Sequence, residues 1–259
     1  MVEIFRGRTA LVTGASAGIG AAMARALAAR GADLILVARR GDRLDALAEE
    51  CRARGVRALA APADLADPAA RAGLAAAHPD VDLLINNAGL GVYGAFDETD
   101  WARTERWLAV NVVALTHLSR LYAPAMVARG FGRILQVASI VGFLPVPRFA
   151  AYAASKAYVV SLGLAMDAEL APRGVRVSVL CPGGTATEFF DVASGPDAAG
   201  HNPRRMMSAD AVARIGLAAM ANGRTLVVAG GINAATVFAL RFAPRALAAR
   251  AALWATRRR

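Results

Sequence analysis

The chain has 259 residues, 56% of them hydrophobic and 19% charged, with a formal net charge of +10. That length suits one large α/β domain or two small ones, while two cysteines and three scattered histidines give neither a disulfide framework nor metal-ligand spacing. Arg241, Arg245, Arg250 and Arg257 to Arg259 supply six positive charges without one acid among them, so the remaining body is near +4 and no nucleic-acid partner is expected.

Residues 1–8 carry charges and lead directly into a strand pattern, which predicts no signal peptide. No apolar run reaches the length of a bilayer-spanning helix, and the expected setting is the reducing cytoplasm. Residues 9–13 form a β-rich run, followed by the glycine series Gly14, Gly18 and Gly20 and a helical pattern to Arg30, stopped by Gly31. Strand, glycine turn and helix together make a receiver for a pyrophosphate, because backbone N–H groups and a helix N-terminus can approach it only where no Cβ intervenes. Residues 33–39 are a near-continuous apolar run, expected as a strand buried on both faces. An acid at its end would grip a ribose 2′-hydroxyl; Arg39 and Arg40 stand there instead and suit a 2′-phosphate, which favours NADP(H) over NAD(H).

Asp42 is expected to cap a helix to about Arg54, ended by Gly55, with a third strand over 56–60 running to Asp64 and Leu65. Asp67 and Pro68 open another helix, which ends near His78. A fourth strand over 81–85 delivers Asn86, Asn87, Ala88 and Gly89 to a ligand crevice. Residues 98–129 form one or two helices, with Asn111 in an interior position that disfavours asparagine and so asks for a reason. Strands over 132–138, 176–180 and 225–228 complete seven, with Ser139 at the end of the fifth and Pro182, Gly183, Thr185 and Thr187 after the sixth. Strands alternating with helices imply a doubly wound, parallel seven-stranded α/β sheet of Rossmann type, in a single domain over 1–231 followed by an extension over 232–259.

Tyr152 and Lys156 lie near the start of a long helical pattern over 149–170, four residues apart and therefore on one face. A nearby cation lowers the pKa of a phenol and tunes it for proton exchange. Lys156 is the only lysine in the chain, which points to a site that needs a compact ammonium rather than a guanidinium.

These motifs in this order resemble the short-chain dehydrogenase/reductase family across about residues 7–230, and more specifically its bacterial general-type members with a C-terminal extension. The resemblance implies a carbonyl–alcohol oxidoreductase. Tyr152 would be its general acid/base, Ser139 would steady the carbonyl oxygen, Lys156 would lower the Tyr152 pKa and hold the nicotinamide ribose, and Asn111 would anchor a relay water. The implied cofactor contacts are Gly14, Ser16, Gly18, Ile19, Gly20, Arg39, Arg40, Asp64, Leu65, Asn87, Ala88, Gly89, Tyr152, Lys156, Pro182, Gly183, Thr185 and Thr187, with Asp64, Asn86 and the Gly89 backbone around the adenine and its ribose. Cys181 stands where the family often has Asn, and Thr185 where it has Val or Ile; neither is expected to touch the chemistry.

Residues 90–93, 140–145 and 188–190 follow strand ends and are expected as apolar pocket walls, which suggests a hydrophobic ketoacyl, steroid-like or other apolar ketone substrate. Residues 187–208 are expected as a lid. The basic, apolar tail over 232–259 could rest on anionic membrane, cover the subunit or modify a homodimer or homotetramer. The competing readings are an epimerase or dehydratase of the extended relatives, which the missing larger C-terminal domain opposes, and a cofactor-sensing regulator, which the intact Ser139, Tyr152, Lys156 and Asn111 oppose.

Overall fold

The computed structural model describes residues 4–189, 193, 206–242, 244, 248–250 and 252–253. Seven parallel strands run in the order β3 (Ala58–Pro62), β2 (Asp33–Ala38), β1 (Thr9–Thr13), β4 (Leu83–Asn86), β5 (Gly132–Val137), β6 (Val175–Cys181) and β9 (Leu226–Val228). Apolar runs build the central strands because both faces are covered: Leu11, Val12, Leu83, Leu84 and Ile85 are fully buried. Helices α1 (Gly18–Ala28), α2 (Gly41–Arg52) and α7 (Ala209–Ala221) belong to one layer, where Met23, Leu27, Leu44, Leu217 and Met220 share a core. The helices of the other layer are α3 (Pro68–Ala77), α4 (Trp101–Leu108), α5 (Leu115–Ala128) and α6 (Ala150–Leu170). Of these, α3 and α5 supply Leu74, Leu118, Tyr122 and Met126 to a second core on the opposite face of the sheet.

Strand order reverses between β1 and β4, since β1 pairs with β2 on one side and β4 on the other. The connections leave in opposite directions there and open a crevice at the strands' C-terminal ends.

Several boundaries differ from the sequence expectation. The third strand begins at Ala58, because the Arg57 backbone N–H is held by Asp33 Oδ1 at 2.8 Å before the ladder starts. It ends on Pro62, which an edge strand tolerates. Asp42 does not cap α2: Arg40 occupies the N-cap position, and Asp42 lies in the first turn, where its carboxylate still complements the helix dipole. Asp67 does cap α3, accepting from Ala69 N–H at 2.9 Å with Pro68 at the first position. Helix α1 ends at Ala28 rather than Arg30, and Gly31 follows at φ +79°.

Between α4 and α5 the chain forms a π-helical turn over Ala109–Ala114, with Asn111 fully buried inside it. The widened turn swings one side chain out of the ordinary helical register. After β6, two short parallel strands, β7 (Thr185–Ala186) and β8 (Met207–Ser208), clip the two ends of the expected lid together. Most of that segment, including Phe190 and residues 194–205, lies outside the described residues, as do residues 254–259 of the tail. The extension begins as a helix, α8 (Gly231–Leu240), whose Asn233 donates to Ala229 O at 2.6 Å.

Candidate active site

The glycine turn is shaped by contacts that leave no room for side chains. A Cβ built on Gly20 would lie 2.3 Å from Gly14 O, and Gly14 itself sits at φ +65°. Asn87 braces the turn, its Nδ2 donating to Thr13 O at 2.9 Å and to Gly14 O at 3.3 Å. Thr13 Oγ1 in turn accepts from the backbone N–H groups of Asn87 and Ala88. Helix α1 starts at Gly18 without the capping side chain that α3, α4 and α7 have, and with no acid in its first turn. Its N-terminal N–H groups therefore have no side-chain partner among the described residues and face a cleft of about 650 Å³ lined by Gly14, Gly18 and Ile19.

The same cleft is lined by Ser16, Arg39, Arg40, Asp64, Leu65, Asn87, Ala88 and Gly89, together with Ser139, Tyr152, Lys156, Pro182, Gly183, Thr185 and Thr187. These expected residues, from the ends of β1 to β6 and the start of α6, meet in one space. Asn86 does not join them. It points into the α5 side of the sheet, where its Nδ2 donates to Leu115 O, Ser119 Oγ and Gln136 Oε1. Strand alternation explains the split, since neighbouring residues at a strand end face opposite sides. Asp64 lines the cleft while its Oδ2 is paired with Arg106. Asn111 is not itself a lining residue; its amide brackets Leu90, accepting from the backbone N–H at 2.9 Å and donating to the carbonyl at 2.8 Å. A side-chain carbon built on Gly89 would lie 3.4 Å from Lys156 Nζ and 3.6 Å from Asn111 Oδ1, so the bare glycine keeps these two polar groups in reach of one space.

Tyr152 and Lys156 are both buried on α6, at 8% and 4% exposure. Lys156 Nζ donates to Val137 O at 2.9 Å and lies 5.6 Å from the centre of the Tyr152 ring. The expected downward pull of the lysine on the phenol is not what dominates here. Burial pushes Tyr152 above its ordinary value, and the Ser139 hydroxyl opposes it. Lys156 is the group that moves down, to about 8, because burial penalises its ammonium. Burial also pushes the Cys181 thiol up to about 12, so it stands uncharged where Lys156 titrates.

Around Tyr152 the walls are aromatic. Phe149 lies at a tilt with 4.7 Å between ring centres, Phe189 likewise at 5.3 Å, and Tyr93 meets Phe149 edge-on at 5.7 Å. Leu90, Gly91, Ile140, Val141 and Phe189 line the cleft as expected, whereas Phe143 turns away onto the cluster around Val159 and Val160. Phe149 and Val146 are lining residues that the sequence reading missed. The signal for Phe149 was present, since it stands three residues before Tyr152 at the entry to the same helix. The segment after Thr187 reaches across to the loop after β4, where Tyr93 N–H donates to Ala193 O at 3.0 Å.

The family model of short chain dehydrogenases matches residues 8–195. Ketoacyl reductase HetN of Nostoc sp. is 38% identical over 181 residues, which take in 68% of this chain but only 63% of that protein. The galactitol 2-dehydrogenase (L-tagatose-forming) of Cereibacter sphaeroides is 43% identical over 191 residues, 72% of this chain and 75% of its own length. Among solved structures, a short-chain dehydrogenase from Sphingobium yanoikuyae in complex with NADPH superposes with a TM-score of 0.84 at 36% identity, covering 90% of this chain and 92% of the other. A family protein from Burkholderia phymatum in complex with NAD reaches 0.81 at 28% identity, with the same coverage of each chain.

Proposed function

This chain belongs to the short-chain dehydrogenase family, and on that premise we propose that it is an NADP(H)-dependent oxidoreductase interconverting a carbonyl and a secondary alcohol on an apolar substrate. The observation that carries the reading is the meeting of Ser139, Tyr152 and Lys156 in one cleft with the glycine turn and Arg39 and Arg40. The uncapped start of α1 would receive the pyrophosphate, and the two arginines the 2′-phosphate. When bound, the nicotinamide supplies or accepts the hydride. The chain's own residues handle the proton. A phenol raised by burial is protonated near neutrality, so the Tyr152 hydroxyl can give its proton to the carbonyl oxygen as negative charge develops there. The Ser139 hydroxyl donates a hydrogen bond to the same oxygen. Lys156, titrating near 8, supplies a nearby cation at neutral pH and would hold the ribose hydroxyls. Phe149, Phe189 and Tyr93 offer ring faces to an apolar substrate and exclude water from the reacting atoms. The test is a panel of apolar ketones and secondary alcohols, following nicotinamide absorbance with each cofactor. Turnover of at least one ketone with NADPH is expected; activity confined to small charged or polyhydroxylated substrates contradicts the apolar reading.

Assembly into a homodimer or homotetramer belongs to the same proposal, supported by the apolar Trp101 and Val113 left exposed around α4 and the π turn. So does peripheral contact of the tail with an anionic membrane. No helix among the described residues is long and apolar enough to cross a bilayer. Helix α8, however, exposes Ile232 and Phe238, with Phe242 just beyond it, and residues 211–259 contain arginines and no acid. Apolar side chains beside unopposed guanidinium groups suit a negatively charged lipid surface. The protein should sediment with phosphatidylserine vesicles and release as salt rises; equal recovery with neutral and anionic vesicles removes the membrane contact.

A further inference from the structure

Arg40 and Glu188 line the cleft, and Arg43 joins them through Glu188 as one charged cluster. Arg40 forks, its Nε and Nη2 donating to Ser16 Oγ at 3.2 and 3.0 Å while its Nη1 donates to Glu188 Oε2 at 2.9 Å. Arg43, in the first turn of α2, donates to the other oxygen, Glu188 Oε1, at 2.6 Å. Each oxygen of the carboxylate is thus taken by a different guanidinium. Thr187, the residue before it, packs against the glycine turn, where a Cβ on Gly18 would lie 2.9 Å from Thr187 Cγ2. The β7–β8 clip anchors the base of the segment. The hydrogen bonds from Arg40 and Arg43 keep the Glu188 carboxyl below the usual carboxylate range, so it is ionised throughout the neutral region.

A carboxylate gripped by two guanidinium groups beside a glycine turn occupies a place whose donors suit a phosphate equally well. We infer that Glu188 is a resident competitor for the cofactor 2′-phosphate, displaced from Arg40 and Arg43 when the phosphorylated dinucleotide binds, and that Arg43 is a further basic contact for that phosphate. The inference rests on the NADP(H) reading and extends it. A phosphate monoester carries about −1.5 to −2 charge at neutral pH and outcompetes one carboxylate. A dinucleotide without that phosphate leaves the Glu188 bridge in place and loses nothing to it. Glu188 therefore narrows the chain's preference for NADP(H), and couples the Thr187 to Phe189 segment to the kind of cofactor bound. The side chains are about half exposed, so the two bridges are weak and exchangeable, which a competitor must be.

The experiment titrates the purified full-length protein with NADPH and with NADH, and compares dissociation constants for wild type, Glu188→Gln and Arg43→Ala. Glu188→Gln should tighten NADPH about two- to tenfold relative to NADH, the range set by losing one or two exposed ion pairs. Arg43→Ala should weaken NADPH more than NADH. If Glu188→Gln weakens NADPH, or moves both cofactors equally, with the wild type still preferring NADPH, the competitor role is overturned and the NADP(H) reading stands. A wild type that prefers NADH overturns that reading and this inference with it. Melting temperatures of the cofactor-free variants give a second readout. Displacement of a surface carboxylate predicts a small change in both, whereas a large loss in Glu188→Gln would mean that the residue is structural.

Discussion

At the scale of single residues, the site is costly to the fold that carries it. Lys156 is buried with one hydrogen bond to a carbonyl, and its pKa falls from 10.5 to about 8 because the folded state disfavours its charge. The sign follows from linkage: below pH 8 the folded protein carries a charge that the unfolded chain bears freely, so the penalty is full there. It fades as pH rises from about 8 to 10.5, where the unfolded lysine also becomes neutral. Lys156→Met should therefore be more stable to unfolding than wild type at pH 7, by on the order of 1–3 kcal/mol, with the gap closing towards pH 10.5. A variant less stable than wild type at pH 7 would show that the ammonium is satisfied where it stands. The sequence already marked Lys156 as the single lysine among arginines. It could not show that the lysine, rather than the tyrosine, is the group pulled downwards, because that depends on burial produced by helices far apart in the chain.

At the scale of elements, α6 is the part whose placement decides the chemistry. Its far end is fixed by Asp167, which is buried and accepts from Arg176 Nε at 2.9 Å, Val177 N–H at 2.8 Å and Thr225 Oγ1 at 2.6 Å. Closer in, Gly163 lets the helix settle on β6, since a Cβ there would lie 2.3 Å from Val179 Cγ2. Burial works against the Asp167 carboxylate, but the hydrogen bonds from Arg176, Thr225 and Val177 together hold its pKa below the ordinary value. That stability is present above the ordinary carboxylate pKa and is lost as pH falls through the lowered folded value. Asp167→Asn should cost about 1–3 kcal/mol at pH 7, less than for a fully buried pair because Arg176 is partly exposed, and the difference should shrink in acid. An unchanged melting curve at pH 7 would remove Asp167 as the anchor of α6. Periodicity revealed α6 itself almost to the residue, because a long regular helix declares its own pattern. The π turn at Asn111 and the β7–β8 clip were not legible, since each exists only through partners distant in sequence: Leu90 for the first, and a strand 22 residues on for the second.

At the scale of the whole molecule, the sheet order turns separate motifs into one site. The glycine turn, the Asn87–Gly89 stretch, Ser139 and the Pro182–Gly183 turn all stand at the same edge because each follows a parallel strand. That much was readable from strand–motif spacing alone. The split between Asn86 and Asn87, the aromatic cage around Tyr152 and the Glu188 bridge to α2 needed the packed structure, since each is set by which face a side chain takes. The central claim is that Tyr152 gives and takes the proton while the rest of the cleft holds the cofactor. Single-turnover reduction of an accepted ketone with NADPH, measured alongside the NADPH dissociation constant in wild type and Tyr152→Phe, tests it most directly. The account predicts a rate lowered by a factor of about a hundred or more, with affinity for NADPH nearly unchanged, because only the proton donor is removed. A Tyr152→Phe enzyme that reduces the ketone at close to the wild-type rate would contradict it.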